Sequence, residues 1–195
     1  MTAYIFDKLL ADGIRRGQIP ARTDGARKWF RDKARQTKVT DTHIMTGDRD
    51  RLRKAFSIGR MYAFFYDPKH KKTLPFYDRF PLIFPVERAP GGFFGINMHY
   101  LHPRMRATLM DALYTVTSNK KYDETTRLRI SMSLLQNASK YRFFKPTLKH
   151  YLTRHVRSRF LIVEAAEWDI ALFLPTERFE KASKSKVWKD SRSQV

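Results

Sequence analysis

The 195-residue chain contains no cysteine. That excludes a disulfide scaffold, thiolate zinc sites, iron–sulfur clusters and cysteine nucleophiles, and it fits synthesis in a reducing compartment. Long hydrophobic runs are also missing, since no segment approaches the roughly 18 apolar residues needed to cross a bilayer. The N-terminal MTAYIFDKLLADGIRRG carries Asp7 and Asp12 inside its apolar stretch and lacks a cleavage site. Neither a secretory signal nor a membrane partner is expected, and the chain reads as soluble. There is no Walker loop, GxGxxG or GxSxG. Gly91, Gly92 and Gly95 are too close together and too strand-like to cradle a phosphate.

Acidic residues are scarce. Asp plus Glu total 19 against 39 Lys plus Arg, a formal charge of +20. A field of that size costs stability unless a partner of opposite sign neutralises it. Nucleic acid, an anionic membrane and an acidic protein are the available classes. Residues 125–163 hold no Asp or Glu, yet carry Arg127, Arg129, Lys140, Arg142, Lys145, Lys149, Arg154, Arg157 and Arg159. Leu128, Ile130, Leu134, Leu135, Phe143, Phe144, Leu148 and Tyr151 lie among them, so this is folded chain and not a tail. A structured surface of one sign, interleaved with aromatics, is the footprint of a nucleic-acid binder. The plainer alternative is a solvated basic face that docks acidic neighbours.

With 15 Phe, 9 Tyr and 3 Trp, the chain has ample material for a core. Periodicity predicts a short helix over residues 3–16 and a second through residue 36, capped by Thr23 or Asp24. On the second helix Arg27, Arg31 and Arg35 share one side, with Trp29 and Phe30 opposite. Residues 37–57 read as a polar connection with one helical turn, in which Asp48 and Asp50 are neutralised by flanking arginines. Aromatic strands are expected at 58–67, 79–87 and 93–101. The second is expected to be irregular or at an edge because of Pro81 and Pro85. Three helices should follow at 104–117, 124–139 and 145–158, the first with Pro103 at its start and the second capped by Asp123. On the third, Lys149, Arg154 and Arg157 would share a polar arc. Residues 159–174 read as a hairpin turning at AAEW. The expected architecture is α+β, with a small twisted antiparallel sheet or SH3-like barrel, N-terminal helices and an inserted three-helix segment. Its divisions are a helical arm (1–57), a core (58–175) and a flexible basic tail (176–195) with Trp188 as an anchor.

The catalytic grammar is thin. His99 and His102 are three apart, which on a strand puts them on opposite faces and does not suit a shared metal. His155 reads as buried and hydrogen-bonded. Glu164, Glu167 and Asp169 cluster at the last turn and form the one acidic trio a metal-dependent nuclease would want. Outward-facing turn carboxylates are the simpler reading. No catalytic residue, metal or cofactor is expected.

Three blocks carry a resemblance: MYAFFYDPK (61–69), LPFYDRFPL (74–82) and GINMHYL (95–101). With HVRSRF (155–160), WDIALFLPTERF (168–179) and the Lys-Ser-Arg-rich end, they resemble a family of T4-type tailed phages, that of the DNA end protectors. The resemblance implies a virion protein, assembled in the host cytoplasm, that binds ends of packaged double-stranded DNA during head completion beside portal, neck or tail proteins. Such a protein needs phosphate neutralisation rather than base readout. The expected contacts are Lys145, Lys149, Arg154 and Arg157, with Arg27, Arg31 and Arg35 as a second ridge. Lys69, Lys71 and Lys72 form a basic loop beside Phe76, an aromatic that can shield a terminal base pair. A tail, baseplate or neck component docking acidic protein is the rival expectation.

Overall fold

The structure, a computed structural model, describes residues 5–18, 23–37, 40–47, 49–142 and 144–194. Asp48 and Phe143 lie outside the described residues.

The amino-terminal helices form as their caps and apolar spacing predict. Helix α1 (Ile5–Arg15) buries Phe6 and Leu9. Helix α2 (Asp24–Gln36) starts where Thr23 Oγ1 accepts the Ala26 amide at 3.1 Å, and it buries Ala26, Phe30 and Ala34. Thr40 caps the short α3 (Asp41–Thr46) in the same way. The sheet strands are β1 (Leu52–Arg53), β2 (Met61–Ala63), β4 (Leu82–Ala89), β5 (Gly92–Asn97), β6 (Leu148–Leu152) and β7 (Phe160–Val163). All neighbours are antiparallel in the order β1-β7-β2-β4-β5-β6. A separate pair joins β3 (Tyr77–Asp78) to β8 (Phe179–Glu180). The edges β1 and β6 do not pair with each other, so the sheet is open and the barrel form of the expectation is not adopted. The mixed α+β class is as expected.

Period-two alternation divides the sheet into two cores. Met61, Ala63, Leu82, Phe84, Val86, Ile96, Leu161 and Val163 face the helices. There α4 (Pro103–Thr117) and α5 (Glu124–Lys140) pack with α6 (Trp168–Phe173) and the N-terminal helices. Tyr62, Phe64, Ile83, Phe93, Tyr151, Phe160 and Ile162 form a second cluster on the other face. Its rings meet edge-on or stacked, with Phe64–Phe160 at 5.1 Å and Phe93–Tyr151 at 5.5 Å. Contacts of that geometry add about 0.5–1.5 kcal/mol each beyond area burial.

β4 is irregular, as its prolines predict, though it lies inside the sheet and not at an edge: β2 pairs only with Leu82 and Ile83, and the register shifts between Pro85 and Glu87. The Val86 carbonyl beside this shift accepts Gln136 Nε2 of α5 at 2.9 Å. Elsewhere the structure departs from the sequence expectation in three places. Residues 145–158 are not a helix. They form β6 between two 3-10 turns, Lys145–Thr147 and Thr153–His155. The open edge of β5 offers ladder bonds along its length, and Gly92 lets the backbones meet, since a Cβ there would lie 1.9 Å from the Tyr151 carbonyl oxygen. Tertiary pairing overrides the helical spacing. The expected hairpin over 159–174 stops at Val163. Glu164 and Glu167 form a capping box, and the chain turns into α6 instead of a second strand. Finally, α7 (Lys184–Ser193) forms within the expected flexible tail, with Ser183 Oγ accepting the Lys186 amide and Val187 fully buried.

A buried polar network ties these parts together. Arg106 of α4 is 1 % exposed. Its Nε donates to Leu101 O (2.8 Å), Nη1 to Leu172 O (2.8 Å) and Nη2 to both His99 O (3.2 Å) and Glu177 Oε1 (2.7 Å). Lys184 Nζ holds the other Glu177 oxygen at 2.8 Å, and Trp188 Nε1 donates to His99 O at 2.8 Å. Burial works to raise the Glu177 pKa, but Arg106, His99 and Lys184 overcome it and bring the carboxyl down to about 2. A depressed folded-state pKa contributes stability above the unfolded value of 4.5, lost as pH falls toward about 2. Glu177→Gln is therefore expected to lower stability at pH 7 by about 3–5 kcal/mol, because it strands a buried guanidinium. Urea midpoints of the two proteins should draw together as pH falls from 4.5, where the unfolded chain takes up the proton, and meet near pH 2, where the folded carboxyl does too. Gly92→Ala should push β6 off β5 at a cost of about 3 kcal/mol, the upper range for overpacking. Faster amide exchange in β6 would report it.

Candidate nucleic-acid interface

The ten cations singled out in the sequence do not form two helical ridges. Arg27 turns inward: its side chain is 12 % exposed, donates to Asp111 Oδ1 at 2.9 Å and lies 5.7 Å from the Phe173 ring centroid. Arg35 is exposed, 4.0 Å from Asp32. Arg31 is half-buried and shares a depression with Arg35. The ladder expected of Lys145, Lys149, Arg154 and Arg157 is absent, because that stretch is β6 and its flanking turns. Lys145 is exposed on the turn before β6. Lys71 and Arg157 both meet Asp67, at 2.9 and 3.5 Å. The hydrogen bond from Lys71, aided by Arg157, holds the Asp67 carboxyl below the usual carboxylate range. Lys72 is exposed, and its carbonyl accepts Lys181 Nζ at 2.9 Å.

Folding brings three of the ten to one place. Lys69 from the loop after β2 and Lys149 and Arg154 from the β6 segment line a cleft of about 580 Å³. The isolated bridge Tyr66↔Val156 holds the two segments together. Phe76, Tyr77, Tyr100 and Tyr151 supply aromatic wall, and His70 and His150 add polar edges. The ring hydroxyls are anchored: Tyr66 Oη accepts the Leu152 amide (3.1 Å) and Tyr151 Oη accepts Asn97 Nδ2 (3.0 Å). Burial raises the phenol pKa of Tyr66, Tyr100 and Tyr151, so all three stay neutral.

Lys149 is the distinctive group. It is half-buried, with Nζ 4.1 Å from the Tyr100 ring centroid. Among the described residues no carboxylate lies within ion-pair distance of it. Burial therefore brings its pKa down to about 8. Asp78 is the one acid lining the cleft, and its oxygens are already engaged. Oδ1 accepts the Phe80 and Arg178 amides, and Oδ2 accepts Asn97 Nδ2 (3.1 Å) and His99 Nδ1–H (2.6 Å). Rings, cations and an acid whose oxygens are already hydrogen-bonded make a cleft suited to an anion with a flat apolar part.

His99 also lies 3.1 Å from the Thr176 hydroxyl, which gives an Asp-His-Thr row. All three side chains are buried, so the row acts as a strut between β3, the 3-10 turn after β5 and the chain leading to β8. His99 is thus a hydrogen-bonded imidazole of the interior. His155 is half-buried, with Nδ1 donating to Asp67 O at 2.8 Å. Glu167 accepts Arg51 at 2.5 Å and the Glu164 amide at 3.1 Å, so its carboxylate braces α6 rather than converging with Glu164 on an ion. Among the described residues no group of three or more His, Asp or Glu is placed to hold a metal, and no described helix is long and apolar enough to cross a membrane.

An open antiparallel sheet with helices on one face, bearing a cationic aromatic cleft at its β6 edge, is the frame into which the comparisons fall. The family model of the phage T4 terminal DNA protecting protein matches residues 6–192. The chain belongs to that family, whose DNA-end-protecting role makes DNA its partner. No curated protein and no solved structure compared with the chain matches it.

The cleft yields a linkage prediction. The unfolded chain keeps the ordinary lysine pKa of 10.5, so between about pH 8 and 10.5 it binds more protons than the folded chain and stability rises with pH. Lys149→Met should raise the stability of the free protein at pH 7 by roughly 2–3 kcal/mol. The difference should vanish above pH 10.5. Thermal unfolding at pH 7 and at the alkaline limit measures both.

Proposed function

We propose that the protein occupies the ends of double-stranded DNA without regard to sequence, and that the cleft at β6 is where a terminus is held. The observation that carries this reading is Lys149, a half-buried ammonium facing an aromatic cleft with no carboxylate of its own. A phosphate at that point would stabilise the charged form, which burial disfavours. Lys69 and Arg154 extend the same cationic rim. Rings of the cleft would receive the flat face of a last base, an interaction that tolerates any base and is worth about 1–3 kcal/mol. Lys145, Lys71, Lys72 and Arg157 lie outside the cleft lining and would act as a weaker outer field along the backbone. Arg27 has a structural part instead, in its pair with Asp111. Binding itself denies the terminus to an exonuclease, so no catalytic step is required. The setting is the virion during head completion, assembled in the host cytoplasm, with portal, neck or tail proteins as neighbours.

Affinity for a blunt linear duplex should fall steeply with salt, by about 0.9 in log K per log salt for each phosphate neutralised. Replacing Lys69, Lys149 and Arg154 together with Glu, Met and Glu should flatten that slope by about two to three units. The same variant should lose protection of linear duplex against an exonuclease. Equal affinity for linear duplex and a covalently closed circle would refute end recognition.

A further inference from the structure

The cleft at β6 is not the one basic depression. A second, of about 370 Å³, opens between α2, the start of α4, the segment after α6 and the start of α7. Its volume lies at the small end of the range for ligand sites, about 300–1,000 Å³. Arg31 and Arg35 reach it from α2, Arg104 from α4, and Lys184 and Trp188 from α7. Among the described residues no carboxylate lies within 4.0 Å of the Arg31 or Arg104 guanidinium, and Arg35 meets Asp32 only at that limit. The acid that lines the pocket is Glu177, and both its oxygens are taken, by Arg106 and by Lys184. Trp188 is locked in place, with its indole N–H on His99 O and its ring edge-on to His102 at 5.4 Å. Burial and the charges of Arg192, Arg104 and Arg106 push the His102 pKa below the usual imidazole value. Three guanidinium groups from two helices therefore converge on a walled space whose own carboxylate is already satisfied.

We propose that this pocket is a second, separate anion site, and that its ligand is a phosphate group of nucleic acid. The guanidinium fork matches phosphate oxygens bidentately. Two guanidinium forks without a carboxylate of their own, Arg31 and Arg104, beside the weakly paired Arg35, suit a group with three or four oxygens better than a single carboxylate. The inference rests on the DNA-end reading for its ligand, but the site stands on its own residues. The phosphate is either the monoester at a 5′ terminus or a diester of the backbone.

The test uses the full chain and the Trp188 indole N–H as a local probe, identified by its loss in Trp188→Phe. Inorganic phosphate should shift that NMR signal saturably at constant ionic strength. The double variant Arg31→Gln, Arg104→Gln should lose the shift, while Lys149→Met keeps it. The double variant leaves Arg106 and Glu177 in place, and wild-type dispersion of its spectrum confirms the fold. On duplex DNA it should bind about tenfold or more weakly, the equivalent of one lost charged hydrogen-bonding pair. A preference for 5′-phosphate over 5′-hydroxyl ends that the variant abolishes assigns the monoester. Equal weakening toward both ends assigns the diester. A wild-type Trp188 signal that does not move, or moves equally in the variant, overturns the site. If phosphate shifts Trp188 as described but neither protein distinguishes linear from closed duplex, the anion site stands and the end-binding reading falls.

Discussion

The fold turns on one buried ion pair. Arg106 and Glu177 are both nearly inaccessible, and the desolvation of each is offset by the other and by neighbouring acceptors. A buried pair of this kind is not strong evidence of net stability, because apolar side chains of the same volume often do as well. Its contribution is positional. The single guanidinium fork fastens α4 to the backbone at His99 and Leu101 and to the end of α6 at Leu172, and through Glu177 it reaches α7. Tyr100, one residue before Leu101, lines the β6 cleft, and His102, one residue after it, lines the pocket at α7. Both depressions thus take a wall residue from one pinned stretch of chain.

Parts of this were legible in the residues and parts were not, for identifiable reasons. α2, α4 and α5 announce themselves with a capping side chain and one apolar stripe each, and nothing in the tertiary structure competes with those signals. Residues 148–156 carry a spacing, Leu148, Tyr151, Leu152 and Val156, that suits a helix equally well. What decides for a strand lies more than fifty residues upstream, in Gly92 and the unpaired edge of β5. The hairpin expected at 159–174 failed on a capping box whose carboxylates were read as turn residues. Trp188 does serve as an anchor, but on a helix.

The candidate site shows the same division. That cations would matter was plain from a charge of +20, and so was their mixture with aromatics. Which cations act together was not, because spacing along a helix that does not form grouped Lys149 with the wrong partners. Lys69 and Lys149 are eighty positions apart, and meet because Tyr66 bridges to Val156. Arg27 looked like its neighbours on the helical wheel, yet Asp111 on a distant helix turned it inward. Arg104 and Lys184 lie eighty positions apart in the chain, and only the packing of α7 against the start of α4 brings them together.

One feature of β6 extends beyond ligand binding. It closes the sheet at one end, pairing with β5 on one side and with no other strand of the described residues on the other. Such a strand invites the same strand of a neighbouring molecule to extend the sheet across the gap. Here it carries Lys149 and is flanked by exposed Lys145 and Arg154, with no acid anywhere from 125 to 163 to offset them. Two such borders brought together would set like charge against like charge. The chemistry that draws in a polyanion also insulates copies of the chain from one another, so the sheet can end in the open without becoming a seed for aggregation.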